Sequence, residues 1–269
     1  MKDDITKKYD NVVDDDNIIV ADQIFKHFMT SSGTVNVLHD VKFSIKKGSF
    51  TTIFGPSGGG KSTLMNVMAG LEPPTIGSMR VANQDIYRLN SDQRAHFRSK
   101  NISIVHQSNH WVKSLSVIEN VALPLYLSGS KKGSALAVAR QSLEQVGMSE
   151  YVNSRPTVLS GGQQQLVSMA RALVTGTDLI FADEPTGNLD TKSGNMVIDL
   201  LLKFQKDFGR TIILVTHNLG YLSLGDKQLY MVDGGLTEST PGKMLPSDTR
   251  DAIKHQIKML IDMEKGSKL

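Results

Sequence analysis

The chain has 269 residues, 39% of them hydrophobic, which suits one large α/β domain or two small ones with a substantial core. It contains no cysteine, which excludes disulfides and cysteine–metal sites and fits a cytosolic setting. A net charge of +3 without a basic stripe argues against nucleic acid as a partner.

Residues 1–17 form a polar stretch with six aspartates and three lysines, and no apolar leader precedes the first structured pattern. From Ile18 the pattern is strand-like. VKFSIKKGSFTTIF alternates Val41, Phe43 and Ile45, turns near Lys47 and Gly48, and enters a buried strand ending at Phe54. STLMNVMAGL then has helical spacing, with Leu64, Val67, Met68 and Leu71 on one side. NISIVHQ (101–107), DLIFADE (178–184) and TIILVTH (211–217) are short apolar runs that each end in a polar residue, and QLYMVDGGL (228–236) reads as a further strand and turn. Ligands bind outside the carboxyl ends of strands in an open parallel sheet, so these polar ends are expected to share one crevice. Residues 108–173 read as mostly helical, an insertion within one α/β domain. Its most apolar part, LSVIENVALPLYL, is broken by Glu119, Asn120 and Pro124 and is too short for a membrane span of about 18 residues. Past Pro241 and Pro246, Ile253, Ile257, Leu260 and Ile261 fall on one helical face, suited to docking on the same domain or on a partner or membrane surface.

GPSGGGKST fits the phosphate-binding pattern G-x-x-x-x-G-K-[ST], with a strand before it and a helix after it. Gly55, Pro56, Ser57, Gly58, Gly59 and Gly60 are expected to curl the backbone so that its N–H groups face an anion. Lys61 adds a point charge for the β- and γ-phosphates of ATP, the Ser62 hydroxyl suits Mg²⁺, and Thr63 completes the motif. Asp183 at a buried strand end is the matching Mg²⁺ carboxylate, and Glu184 beside it suits a general base or water-positioning group. Gln107 is expected to hold Mg²⁺ or the attacking water, and His217 to hydrogen-bond the γ-phosphate. LSGGQQQ (159–165) sets a serine and two glycines directly before a helical stretch. Glycine inside a helix costs roughly 1 kcal/mol against alanine, so this is read as a helix entrance, whose bare N–H groups attract phosphate.

Taken together, GPSGGGKST, Gln107, LSGGQ, IFADEPTGNLD and VTH resemble, in order and spacing, the nucleotide-binding subunit of an ABC transporter across residues 18–237. GPSGGGKSTLMNVMAGLEPPTIG, IENVALPL, LSGGQQQ and ADEPTGNLD narrow this to the lipoprotein-release, macrolide-export and cell-division subgroup. The resemblance implies a P-loop NTPase fold with a RecA-like parallel core, an N-terminal antiparallel β subdomain and a helical insertion at about 108–173, flanked by a tail at 1–17 and an extension at 238–269. It implies a homodimer around two MgATP, in which Ser160, Gly161, Gly162 and Gln163 face the nucleotide of the partner subunit and Asp190 lies in the loop joining the two sites. Phe28 aligns with the aromatic that stacks on adenine, with a place in the core as the alternative. A separate permease is implied at the cytoplasmic face of the membrane, contacting a groove along 108–125 in which Trp111 is either a contact or buried core. A mechanical ATPase that signals through a membrane scaffold is the alternative outcome for the same subgroup. Leu166 and Asn218 stand where the family usually has arginine and aspartate, which alters expected surface charge and no nucleotide ligand.

Overall fold

The computed structural model describes residues 16–31 and 33–239; the polar tail up to Asp15 and the apolar face around Ile253–Ile261 lie outside the described residues. Strands β1 (Asn17–Thr30) and β2 (Gly33–Lys46) form a long antiparallel hairpin. The buried strand β3 (Phe50–Phe54) follows and runs through the glycine-rich loop into helix α1 (Lys61–Met68). Leu71 does not share the helix face expected for it. Met68 ends the helix, Gly70 turns left-handed, and Leu71 is 49% exposed.

Strands β4 (Ile76–Val81) and β5 (Gln84–Asp85) join the hairpin in a four-stranded antiparallel sheet ordered β2-β1-β4-β5. Helix α2 (Ser91–Asn101) was not legible from apolar spacing, because it buries no residue; an Asn90–Gln93 capping box starts it. It runs to Asn101, so strand β6 (Ile102–Val105) is shorter than the apolar run predicted, and Gln107 lies two residues beyond its end. Helices α3 (Val117–Leu127), α4 (Lys132–Gln145) and α5 (Gly161–Leu173) come next, followed by strand β7 (Leu179–Asp183), helix α6 (Thr191–Phe208) and strand β8 (Thr211–Thr216). Strands β9 (Lys227–Val232) and β10 (Gly235–Ser239) close the described chain.

The second sheet has the order β10-β9-β3-β8-β7-β6, parallel except for β10. Its central strands β3, β8 and β7 are buried on both faces, which is why they read as unbroken apolar runs rather than alternating ones. Side chains still alternate. Ile213 and Val215 of β8 pack with Ile53, Leu64, Met68 and the antiparallel sheet, while Ile212 and Leu214 pack with Val167, Val197 and Leu201 of the helices. Each such side chain contributes about 1.5–3 kcal/mol on burial, so the sheet is a stiff partition between two cores. Leu166 belongs to the second core at 8% exposure. Apolar packing, not surface charge, accounts for leucine there.

Candidate nucleotide-binding site

Strand β3 ends at Phe54, and the chain from Gly55 to Gly60 curls tightly before α1 begins at Lys61. Gly55, Gly58 and Gly60 take φ values of 149°, 79° and 97°, which side-chain-bearing residues rarely adopt. Gly55 has a second constraint. A Cβ there would lie 1.9 Å from the Met231 carbonyl oxygen, because β9 runs directly beneath the loop. The Lys61 ammonium donates to the carbonyls of Gly55 (2.9 Å) and Pro56 (2.8 Å), across the inside of the curl. Burial lowers its pKa, while the nearby carboxylates of Glu184 and Asp183 raise it.

Those two acids stand at the end of β7. Asp183 is the last strand residue and pairs in register with Val215 of β8. Burial pushes its pKa up, the Glu184 charge adds to that, and Lys61 opposes it. Its Oδ1 is buried without a hydrogen-bond partner, an acceptor left for a cation. Ser62, exposed on the first turn of α1, supplies a hydroxyl next to Lys61. A hard-oxygen donor pair of hydroxyl and carboxylate fits Mg²⁺. Among the described residues no cluster of three or more His, Cys, Asp or Glu could hold a metal ion by itself.

Glu184 takes φ 46°, a left-handed conformation held by its N–H to Val215 O (2.9 Å) and by Gly187 N–H to its own carbonyl (3.1 Å). This kink turns its carboxylate out of the strand direction, to within 2.8 Å of His217 Nδ1. His217 directly follows β8 and is half exposed. Gln107 reaches the same turn from the loop after β6. Its Nε2 donates to Asn188 Oδ1 (3.3 Å), and a Cβ on Gly187 would lie 2.8 Å from it. Lys61, Asp183, Glu184, His217 and Gln107 thus gather at the carboxyl ends of β3, β7, β8 and β6.

The signature residues are placed elsewhere. Ser160 is the N-cap of α5, in a capping box where its N–H donates to Gln163 Oε1 (2.9 Å) and its Oγ accepts from Gln163 N–H (3.3 Å). Ser160 and Gly161 are exposed. Gly162 lies against α6, where a Cβ would sit 2.7 Å from Ser193 Oγ. Helix α5 packs on α3, α4, α6 and β6, whereas α1 packs on β2, β4 and β8. Asp190 caps α6, accepting from Ser193 N–H (3.0 Å) and Ser193 Oγ (2.7 Å), and these bonds hold its pKa down. Trp111 is half-buried, its indole N–H turned inward onto Gln164 Oε1 (2.8 Å) under the Arg171 guanidinium. Phe28 is half-buried at the hairpin end of β1, outside both cores. Gln164, Gln165 and Arg171, which tie α5 to residues on both sides of Gln107, had no sequence signal, since their partners lie more than fifty residues away.

A glycine-rich loop between a parallel strand and a helix, with two acids at the end of a strand one place further along the same sheet, defines a P-loop nucleotide-binding domain. The ABC transporter family model matches residues 38–187. The lipoprotein-releasing system ATP-binding protein LolD of Shewanella denitrificans is 36% identical over 82% of this chain and 95% of its own length. The macrolide export ATP-binding/permease protein MacB of Aggregatibacter actinomycetemcomitans is 37% identical over 87% of this chain, which spans 36% of that larger protein. Among solved structures, the ATP-binding cassette MJ0796, described as a dimer in a post-hydrolysis state with ADP and Pi, superposes with a TM-score of 0.78 at 32% identity, over 84% of this chain and all of the other. The chain belongs to the ABC transporter family. It is the ATP-binding, ATP-hydrolysing subunit, of the lipoprotein-release and macrolide-export subgroup.

Proposed function

We propose that two copies of this chain close around two ATP molecules and drive a separate membrane permease from its cytoplasmic face. The observation that carries this reading is the convergence of Lys61, Asp183, Glu184 and His217 in one crevice, while Ser160 and Gly161 lie exposed on a different helix packing group. The related cassette is a dimer bound to ADP and Pi, and in a head-to-tail pair the exposed helix entrance of one subunit would meet the γ-phosphate held by its partner. Ser62 and Asp183 would hold Mg²⁺, which when bound neutralises charge on the phosphates. Lys61 exchanges its carbonyl partners at Gly55 and Pro56 for phosphate oxygens. Glu184 accepts the proton of the attacking water, with His217 close enough to share in fixing its carboxylate and to reach the γ-phosphate, and Gln107 orients the water from the opposite strand end.

Among the described residues no helix is long and apolar enough to cross a membrane. The permease's docking site is a surface groove between α2, α3 and α5, lined by His96, Lys100, Ile104, Leu125, Leu127 and Thr175. Leu127 is 82% exposed at its edge. Of the stretch expected at 108–125, Pro124 and Leu125 line this groove and Trp111 does not.

Glu184→Gln tests the assignment. Keeping the shape and removing only the basic oxygen should leave ATP binding intact, cut hydrolysis by about 10²–10⁴-fold, and trap an ATP-bound dimer. Single-turnover hydrolysis and size-exclusion chromatography with ATP check it; turnover within a few-fold of wild type would reject Glu184 as the base.

A further inference from the structure

On the β1–β2 hairpin, Lys26 Nζ lies 4.7 Å from the centroid of the Phe28 ring. The register of β1 against β2 is irregular between Ala21 and His27, and such irregularities re-aim side chains. Lys26 is not a loose surface lysine. Its ammonium is 3.1 Å from Glu72 Oε1 and donates to the Pro73 carbonyl at 2.8 Å, with only 11% of the side chain exposed. The Glu72–Thr75 segment is itself laced to the strand, since Thr75 N–H donates to Phe25 O (2.8 Å) and His27 N–H to Thr75 Oγ1 (3.1 Å).

The same segment is anchored to the last turn of α1, the helix that follows the phosphate loop. The Tyr87 hydroxyl bridges the carbonyls of Val67, in α1, and Glu72. Leu71 and Glu72 N–H groups donate to Asn66 O, also in α1. A continuous set of polar contacts therefore runs from the helix that begins at Lys61, through Glu72, to the ammonium that sits over the Phe28 ring.

We propose that Lys26 is a positioning residue for the nucleotide base: its clamped ammonium covers one face of the Phe28 ring and fixes the opposite face as the platform on which adenine stacks. This rests on the reading of Phe28 as the adenine platform. Phenylalanine has no hydroxyl to anchor its ring, and at the end of a hairpin it would otherwise sample several orientations. The cation–π contact removes that freedom before ATP arrives, so less ordering is left to oppose binding. Lys26 acts through Phe28 and touches no phosphate. Its effect should therefore appear with base-bearing ligands and vanish with ligands that lack a base.

Calorimetric titration of the full-length protein with a non-hydrolysable ATP analogue, and separately with inorganic tripolyphosphate, tests this. Lys26→Met keeps the length of the side chain and removes its charge. It should weaken the analogue by about 2- to 5-fold and leave tripolyphosphate unchanged. Lys26→Arg should restore the analogue's affinity. In a Phe28→Ala background Lys26→Met should have no further effect. Equal weakening of both ligands by Lys26→Met, or no weakening of the analogue while Phe28→Ala weakens it, would overturn the role of Lys26. If Phe28→Ala leaves the analogue's affinity unchanged, the platform reading itself falls. Glu72→Gln, which loosens the ammonium without altering β1, gives the same comparison if Lys26→Met folds poorly.

Discussion

Trp111 donates its indole N–H to Gln164 Oε1 at 2.8 Å, joining the segment after Gln107 to the helix that begins with the signature. Two further bonds run alongside, from Gln165 Nε2 to His106 O (3.3 Å) and from Arg171 Nη2 to Asn109 O (2.7 Å), and the Arg171 guanidinium lies 4.4 Å over the Trp111 ring. Residues 106–111 and α5 are therefore one mechanical unit. If nucleotide displaces Gln107, these bonds would carry the movement toward Ser160 without passing through the sheet.

Trp111→Phe removes the donor and keeps the ring. It should cost about 1 kcal/mol of stability, the typical net value of one hydrogen bond. ATP affinity should hold and steady-state hydrolysis should fall several-fold. Denaturant unfolding and ATPase assays on one preparation check both halves; unchanged turnover would show that the link transmits nothing.

Gly161→Asp places a carboxylate on the exposed helix entrance, where a partner's γ-phosphate would approach. It should spare ATP binding to the single subunit and abolish ATP-driven dimerisation. Lys61→Ala has the opposite defect, because it removes a charge-assisted phosphate contact worth roughly 1.5–3 kcal/mol. A mixture of the two retains one composite site, with the phosphate loop from one chain and the signature from the other. Light scattering in the Glu184→Gln background should show dimers in the mixture and not in pure Gly161→Asp. Full dimerisation of the pure variant would place the signature on its own nucleotide.

Asp183 carries a pKa raised by burial and by Glu184. A carboxyl whose folded pKa lies above its unfolded value contributes stability below the unfolded pKa, and loses it as pH rises through the folded pKa. At neutral pH, above the ordinary carboxyl range, Asp183 therefore costs the nucleotide-free protein stability. Asp183→Asn should raise the melting temperature at about pH 7, with the gain shrinking toward the ordinary carboxyl range near about pH 4. It should also remove the extra stabilisation that Mg²⁺ adds to ATP. Thermal denaturation across pH, with and without MgATP, reads both effects.

Gly55→Ala and Gly58→Ala separate close approach from backbone preference. Both sites have positive φ, yet a Cβ at Gly58 meets nothing within 4 Å, whereas at Gly55 it would overlap the Met231 carbonyl. Gly58→Ala should cost roughly 1–2 kcal/mol. Gly55→Ala should cost about 4 kcal/mol or more, or prevent folding. Urea unfolding ranks the two, and equal costs would mean that β9 yields readily.

The sequence-readable features were those whose causes are local. Unbroken apolar runs marked β3, β7 and β8 because both faces of the parallel sheet are covered, and the Gly–Lys–Ser pattern marked the loop because φ and charge are set residue by residue. Helix α2 escaped because it buries nothing and so has no apolar period; only its Asn90–Gln93 cap announces it. Gln107 was placed at a strand end, yet the strand stops at Val105 and the glutamine reaches the site from a loop. The Lys26–Phe28 contact and the Trp111–Gln164 bond depend on strand register and on elements distant in sequence, which no local pattern encodes.

If the outward-facing signature at Ser160 and Gly161 completes the partner's site, it also sets the kinetic order of the reaction. An active site assembled from two surfaces forms at a rate that depends on the square of the subunit concentration when the protein is dilute. Specific activity of the isolated chain should then fall on dilution, and a single-site rate law should misdescribe it. A membrane partner that holds two copies side by side replaces that encounter with a local concentration on the order of millimolar, so assembly no longer depends on how much subunit is free.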